Sequence, residues 1–189
     1  DNVTGLAYAA GPPITTSVRT SPSAPSIAQL NQIIADLDAR PGVLKVSDKF
    51  LSKKETYGTA AAPQITHYTG TDGLTIKGNG NLDGAGILII DGDLTLEGSL
   101  TFKGLVIVRG GTIVKKDTAT QASGNATLYG SLWTTSMDLT VSGSAIIQYS
   151  SQALLLANQV SGGTGLPAPV SVTALIDCGQ VPSGIAGCP

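Results

Sequence analysis

Charge, aromatic rings, histidine and sulfur are all scarce in this chain of 189 residues. Charged residues make up 13% and the formal net charge is −2, so nothing resembles the basic footprint of a nucleic-acid binder. Aromatics stand at 4%, too few to build platforms on which bases stack. The composition therefore argues against nucleic acid as a partner. The lone histidine, His67, has no second histidine or cysteine pair near it in sequence. That excludes the usual zinc spacings, and no metal or cofactor is expected. His67 itself is expected to be a half-exposed strand residue. No apolar run approaches the ~20 residues that span a bilayer. The chain starts at Asp1 and Met137 is its only methionine, so it is expected to be a processed or excised part of a longer product. Any membrane contact would then run through a helix upstream of Asp1.

Glycine, in contrast, is abundant at 24 residues, and it recurs in step with apolar runs. Gly86-Ile-Leu-Ile-Ile-Asp, Gly104-Leu-Val-Ile-Val-Arg, Gly124-Asn-Ala-Thr-Leu-Tyr and Gly143-Ser-Ala-Ile-Ile-Gln begin 18, 20 and 19 residues apart. Leu74, Leu94, Ile113 and Leu132 keep the same beat. Two columns in phase indicate stacked turns of strand. The expected fold is mainly β: a short right-handed β-solenoid of about four turns with three strands per turn, and one amphipathic helix on its outer face. Alternation sorts the side chains. Leu88, Val106, Ala126 and Ala145 are expected in one inward column, and Ile90, Val108, Leu128 and Ile147 in the next.

The outward positions Ile87, Ile89, Leu105 and Ile107 are also apolar. A strand apolar on both faces is usually covered on both. Ile27, Leu30, Ile33, Ile34 and Leu37 fall at helical spacing, with Ser26 able to cap the start and Pro41-Gly42 to stop the end. This helix over 27–39 is expected to lie across the outer face, with Leu30 and Ile34 meeting Ile87, Ile89, Leu105 and Ile107. Residues 1–25 read as a proline-rich arm, 26–70 as the helix and lead-in strands, 71–160 as the solenoid and 161–189 as a cap on its open end. Ser151–Asn158 reads as a short helix or a final strand. Cys178 and Cys188 lie ten apart in the tail, where a disulfide is expected, and with it an oxidising or extracellular setting.

Catalytic chemistry finds little support. Asp91 and Asp93 flank Gly92, but one turn later Asp91 should stack over Arg109, then Tyr129 and Gln148, which is an ion-pair ladder rather than a carboxylate cluster. His67 lacks a nucleophile-elbow motif, and Gly78-Asn-Gly80 and Gly110-Gly111 lack the lysine of a phosphate loop. The polar run Lys116-Asp-Thr-Ala-Thr-Gln-Ala-Ser123 breaks the apolar pattern. Lys116, Asp117, Thr118, Thr120 and Gln121 are the candidate partner surface, because loops on rigid scaffolds often carry contacts.

The run Gly84-Ala-Gly-Ile-Leu-Ile-Ile-Asp-Gly-Asp-Leu-Thr-Leu-Glu-Gly-Ser-Leu-Thr-Phe-Lys-Gly-Leu-Val-Ile-Val-Arg-Gly110 resembles the C-terminal region of bacterial PilX-type, pilus-assembly-associated proteins. Gly143-Ser-Ala-Ile-Ile-Gln-Tyr-Ser-Ser151 is similar to that family's closing turn, and Ala62-Pro-Gln-Ile-Thr66 to its lead-in strand. The resemblance spans 55–155 and implies a type IV pilus-like system, minor pilin-like, with a β-rich domain displayed outside the bacterium. It brings no catalytic residues. The expected function is non-enzymatic: a structural or adhesive domain meeting other pilin or pilus-assembly subunits, or a surface or glycan ligand. Two rivals are a bactofilin-like polymer-forming scaffold and a pectate-lyase-like, polysaccharide-active enzyme.

Overall fold

A computed structural model of the chain describes residues 25–114, 124–138, 144–163 and 166. The chain divides into two compact units, 1–32 and 33–189. The first contributes only the start of helix α1 (Ile27–Asp38) to the described residues. There, Ser26 and Gln29 cap the helix reciprocally: Gln29 N–H donates to Ser26 Oγ at 3.3 Å, and Ser26 N–H to Gln29 Oε1 at 2.9 Å. Leu30 is half-buried.

The second unit is a parallel β-solenoid of about four turns with helix α2 (Ser151–Ser161) packed on it. Its strands are β1 (Leu44–Val46), β2 (Phe50–Leu51), β3 (Lys54–Tyr57), β4 (Gln64–Tyr68), β5 (Leu74–Ile76), β6 (Asn81–Ile90), β7 (Leu94–Leu96), β8 (Ser99–Val114), β9 (Asn125–Asp138) and β10 (Ser144–Gln148). Every pairing is parallel. One ladder runs β1-β4-β6-β8-β9-β10, and a second runs β2-β5-β7-β8. A third short strand, β3, pairs with the start of β6.

The expected beat holds in the first turns. Leu74 lies opposite Leu94, Leu88 opposite Val106 and Ile90 opposite Val108. It slips after β8. Ser99 lies opposite Asn125 and Val108 opposite Thr134, an offset of 26 residues where β6 and β8 have 18. Val106 therefore stacks on Leu132 rather than Ala126, and Ala126 on Leu100. Leu94 meets Thr112 rather than Ile113. From Ser99 to Val108 the slip is an even number of residues, so inward and outward faces keep their alternation and the apolar pattern conceals it; past an irregularity between Val108 and Gly111 the offset is 25. The last step is in phase again, with Ala126 opposite Ala145 and Leu128 opposite Ile147.

The slip also changes the glycine column, which is Gly86, Gly104 and Gly130, without Gly124 or Gly143. These three have φ of 116°, 139° and 135°, a backbone region open mainly to glycine. A Cβ on Gly104 would overlap the carbonyl of Gly86, and one on Gly130 the carbonyl of Gly104. The column is thus set by conformation and close approach together.

Inside the coil, Tyr68, Leu82, Leu88, Ile90, Leu100, Phe102, Val106, Val108 and Leu128 form one apolar core. Each large side chain buried there stabilises by about 1.5–3 kcal/mol. Tyr68 reaches Tyr57, O–H donating at 3.1 Å, with the rings edge to face. Thr66, stacked beside Leu88, buries a hydroxyl with no hydrogen-bond partner.

The outer face carrying Ile87, Ile89, Leu105 and Ile107 is buried, at 2% exposure or less for each. A helix does pack here, but the one running along β6, β8 and β9, and reaching β4, is α2. Ala153, Ala157 and Ser161 form its buried stripe, one residue per turn. Such small side chains let a helix sit close on branched side chains that already fill the interface. Ser150 caps its start, accepting from Ala153 N–H at 3.2 Å, and Gly162 closes it in the left-handed conformation. Helix α1 instead meets the sheet with its last turn, through Asp38 at β1 and β4, while Ile34 and Leu37 are buried.

Two outcomes follow for stability, both readable by urea titration. Gly104→Ala is expected to cost about 3 kcal/mol or more, whereas Gly42→Ala, also at positive φ but in open space, should cost about 1–2 kcal/mol. Thr66→Val, which removes the unpaired hydroxyl at nearly constant shape, should gain about 1 kcal/mol.

Candidate functional site

The principal polar cluster is built where three elements meet. In β4, Ile65 and His67 alternate with the inward Thr66 and Tyr68, so His67 points to the outer face beside Ile89. One residue past β6 the chain turns at Asp91, whose N–H donates to the carbonyl of Tyr68 at 3.0 Å and brings its carboxylate beside the histidine. Asp38 arrives from the end of α1.

His67 is 5% exposed, so the expected half-exposed strand residue is in fact buried. Its Nδ1 lies 2.9 Å from Asp38 Oδ1 in a well-aligned hydrogen bond. Its Nε2 lies 3.1 Å from Asp91 Oδ1, but off the line of a good hydrogen bond, so this contact is chiefly electrostatic. Each carboxylate also has a cation, on the second oxygen of Asp38 and on the same oxygen of Asp91 that faces the ring. Lys45 Nζ donates to Asp38 Oδ2 at 2.6 Å, and Arg109 NH1 to Asp91 Oδ1 at 3.0 Å. Burial pushes the Asp38 carboxyl up, but hydrogen bonds from Lys45 and His67 outweigh it and hold it below the ordinary value of 3.8.

The expected stacking of Asp91 over Arg109 is present. Tyr129 does not extend that ladder: the register slip sets it opposite Lys103 and Gln148. Asp93 does not join a cluster either, since its Oδ1 accepts from Gly111 N–H at 2.7 Å and fixes a corner. Both nitrogens of His67 face carboxylates inside the packed protein. The cluster therefore joins α1 to the coil and presents no nitrogen to a substrate.

A second feature lies at the last turn. Ile146, Ile147, Tyr149 and Leu155 are 55%, 44%, 60% and 56% exposed, and Tyr129, also exposed, lies opposite Gln148. Ile147 belongs to the core column of Leu128, yet no described strand covers it. The nearby core holds an apolar void of about 20 Å3 lined by Leu128, Leu132, Ile147 and neighbours. The opposite edge differs in chemistry. Its strands β1, β2 and β3 have two to four residues each and carry or adjoin Lys45, Lys49, Lys53 and Lys54, a pattern that discourages strand addition.

Lys116, Asp117, Thr118, Thr120 and Gln121, and the pair Cys178 and Cys188, lie outside the described residues, as does most of the 161–189 cap. Among the described residues, no group of three or more His, Cys, Asp or Glu side chains is placed to hold a metal ion, and no helix is long and apolar enough to cross a membrane. No family model, curated protein or solved structure matches the chain.

Because the folded carboxyl of Asp38 titrates below its unfolded value, its stabilisation is present above that value and is lost as pH falls through the folded one. Asp38→Asn is therefore expected to destabilise by about 1.5–3 kcal/mol at neutral pH. The gap between variant and parent should shrink as pH drops below 3.8, as read by denaturant melts across pH.

Proposed function

We propose that this chain is a non-enzymatic structural domain of a type IV pilus-associated system, minor pilin-like, displayed at the bacterial surface and working through contacts with other subunits of that system. The resemblance carried by 84–110 and 143–151 supplies the system. The observation that carries the mode of action is the exposure of Ile146, Ile147 and Tyr149 at the last turn, which no described element covers. An exposed apolar patch rimmed by polar groups is a common mark of a protein contact. Strand β10 has no charged residue and a free backbone edge among the described residues, so it can take up an extended segment or a flat apolar surface. Adhesion to a surface or glycan would be an extension of this role.

The same open end favours a second reading, a bactofilin-like scaffold that polymerises end to end. The two edges argue against it. Head-to-tail growth needs the lysine-bearing first edge to receive the uncharged last one, and each stacking step would leave those charges poorly solvated.

A photo-crosslinking residue in place of Ile146, in cells that display the protein, is expected to trap another subunit of the same filament system. Cross-links confined to cytoplasmic proteins would overturn the proposal. Ile146→Lys should abolish the cross-link placed at Ile147 while leaving the circular dichroism spectrum unchanged. Light scattering of the purified chain separates the rival, since a polymeric scaffold would form open-ended filaments by itself.

A further inference from the structure

We infer that His67 is a proton-dependent latch: its imidazolium, held between Asp38 and Asp91, fastens the last turn of α1 to the coil, and loss of the proton loosens that attachment. The inference stands apart from the pilus reading and would hold for any role of the domain.

The geometry carries it. A neutral imidazole has one N–H and one lone pair, whereas an imidazolium has two N–H donors. Here both nitrogens face carboxylate oxygens, at 2.9 and 3.1 Å. In a neutral ring, one of them would turn a lone pair toward an anion inside the protein. The better-aligned bond is at Nδ1, so a neutral ring would keep its proton toward Asp38 and set the bare Nε2 against Asp91. That arrangement is repulsive at 3.1 Å and leaves a buried polar atom unsatisfied. The charged ring converts the same approach into attraction and strengthens the bond to Asp38, since charge-assisted hydrogen bonds are roughly twice as strong as neutral ones.

The surrounding charges set the size of the effect. Lys45 on β1 and Arg109 within β8 already pair with the two carboxylates. Both pairs survive when the ring is neutral, so α1 loosens rather than leaves. Helix α2, which also reaches β4, contains no charged residue and adds nothing to the field. Asp38 and Asp91 belong to different elements, so the ring is the bridge between helix and coil. A histidine charge changes within the physiological pH range, and no other histidine occurs in the chain.

The test uses the wild-type chain and needs no variant to fold. Nitrogen-15 shifts of the ring report its charge directly, and amide exchange reports the hold on α1. Both readouts are followed from about pH 5.5 to 8.5, the span in which a histidine charge ordinarily changes. Over the same range, protection of residues 33–38, corrected for intrinsic exchange, should fall by roughly tenfold relative to β6. Asp91→Asn removes the anion at Nε2 and should flatten that fall. A ring that is neutral throughout the range, or a parallel change in α1 and β6, would overturn the latch.

Discussion

Parallel stacking at one strand spacing is the constraint on which everything else in this domain depends. Each turn must lay its backbone about 4.8 Å above the previous one along most of its length. Where the chain bends sharply, no side chain fits between layers, hence Gly86, Gly104 and Gly130 in one column. Where it is straight, like positions repeat, so the interior is a pile of aliphatic layers around Phe102. The same rule organises the exterior. Arg109 comes to Asp91 from one turn away, Lys77 to Glu97 likewise, and Lys54 reaches Asp83 on the neighbouring strand. The spacing of these pairs follows directly from the stack, and the more exposed one, Lys54–Asp83, contributes little by itself.

Much of this was legible in the sequence because the repeat is local. Leu74 over Leu94, Leu88 over Val106 and Asp91 over Arg109 need only a constant period. The slip before β9 was hidden because strand alternation has period two and an even insertion preserves it. Ala126 looked like a partner for Val106 when it belongs over Leu100. Helix α2 was ambiguous because a short apolar run such as Ala153-Leu-Leu-Leu-Ala157 fits a helix or a strand. The burial of His67 could not be read at all. Its aligned partner, Asp38, precedes it by 29 residues and sits on another kind of element, so no periodicity connects them.

The two edges of the coil and its outer face show three solutions to one problem, the treatment of strand surface that the stack leaves over. The first edge is cut short and charged. The outer face of β6 and β8 is sealed by a helix with a stripe of small residues. The last edge is neither charged nor sealed among the described residues, and its inward Ile147 is left half in water. A buried ion cluster then fastens α1 where the sealed face meets the charged edge. Among the described residues, the domain is thus polar and finished at one edge and apolar and open at the other.

Helix α2 also acts as a ruler. Its 11 residues measure about 16 Å, and the strands it touches, β4, β6, β8 and β9, span three spacings or about 14 Å. A coil gaining a turn between β6 and β8 would leave branched side chains beyond the helix end in water. One losing a turn would leave the helix overhanging. Turn number in this architecture is therefore coupled to the length of a single helix, and the two can drift in evolution only together.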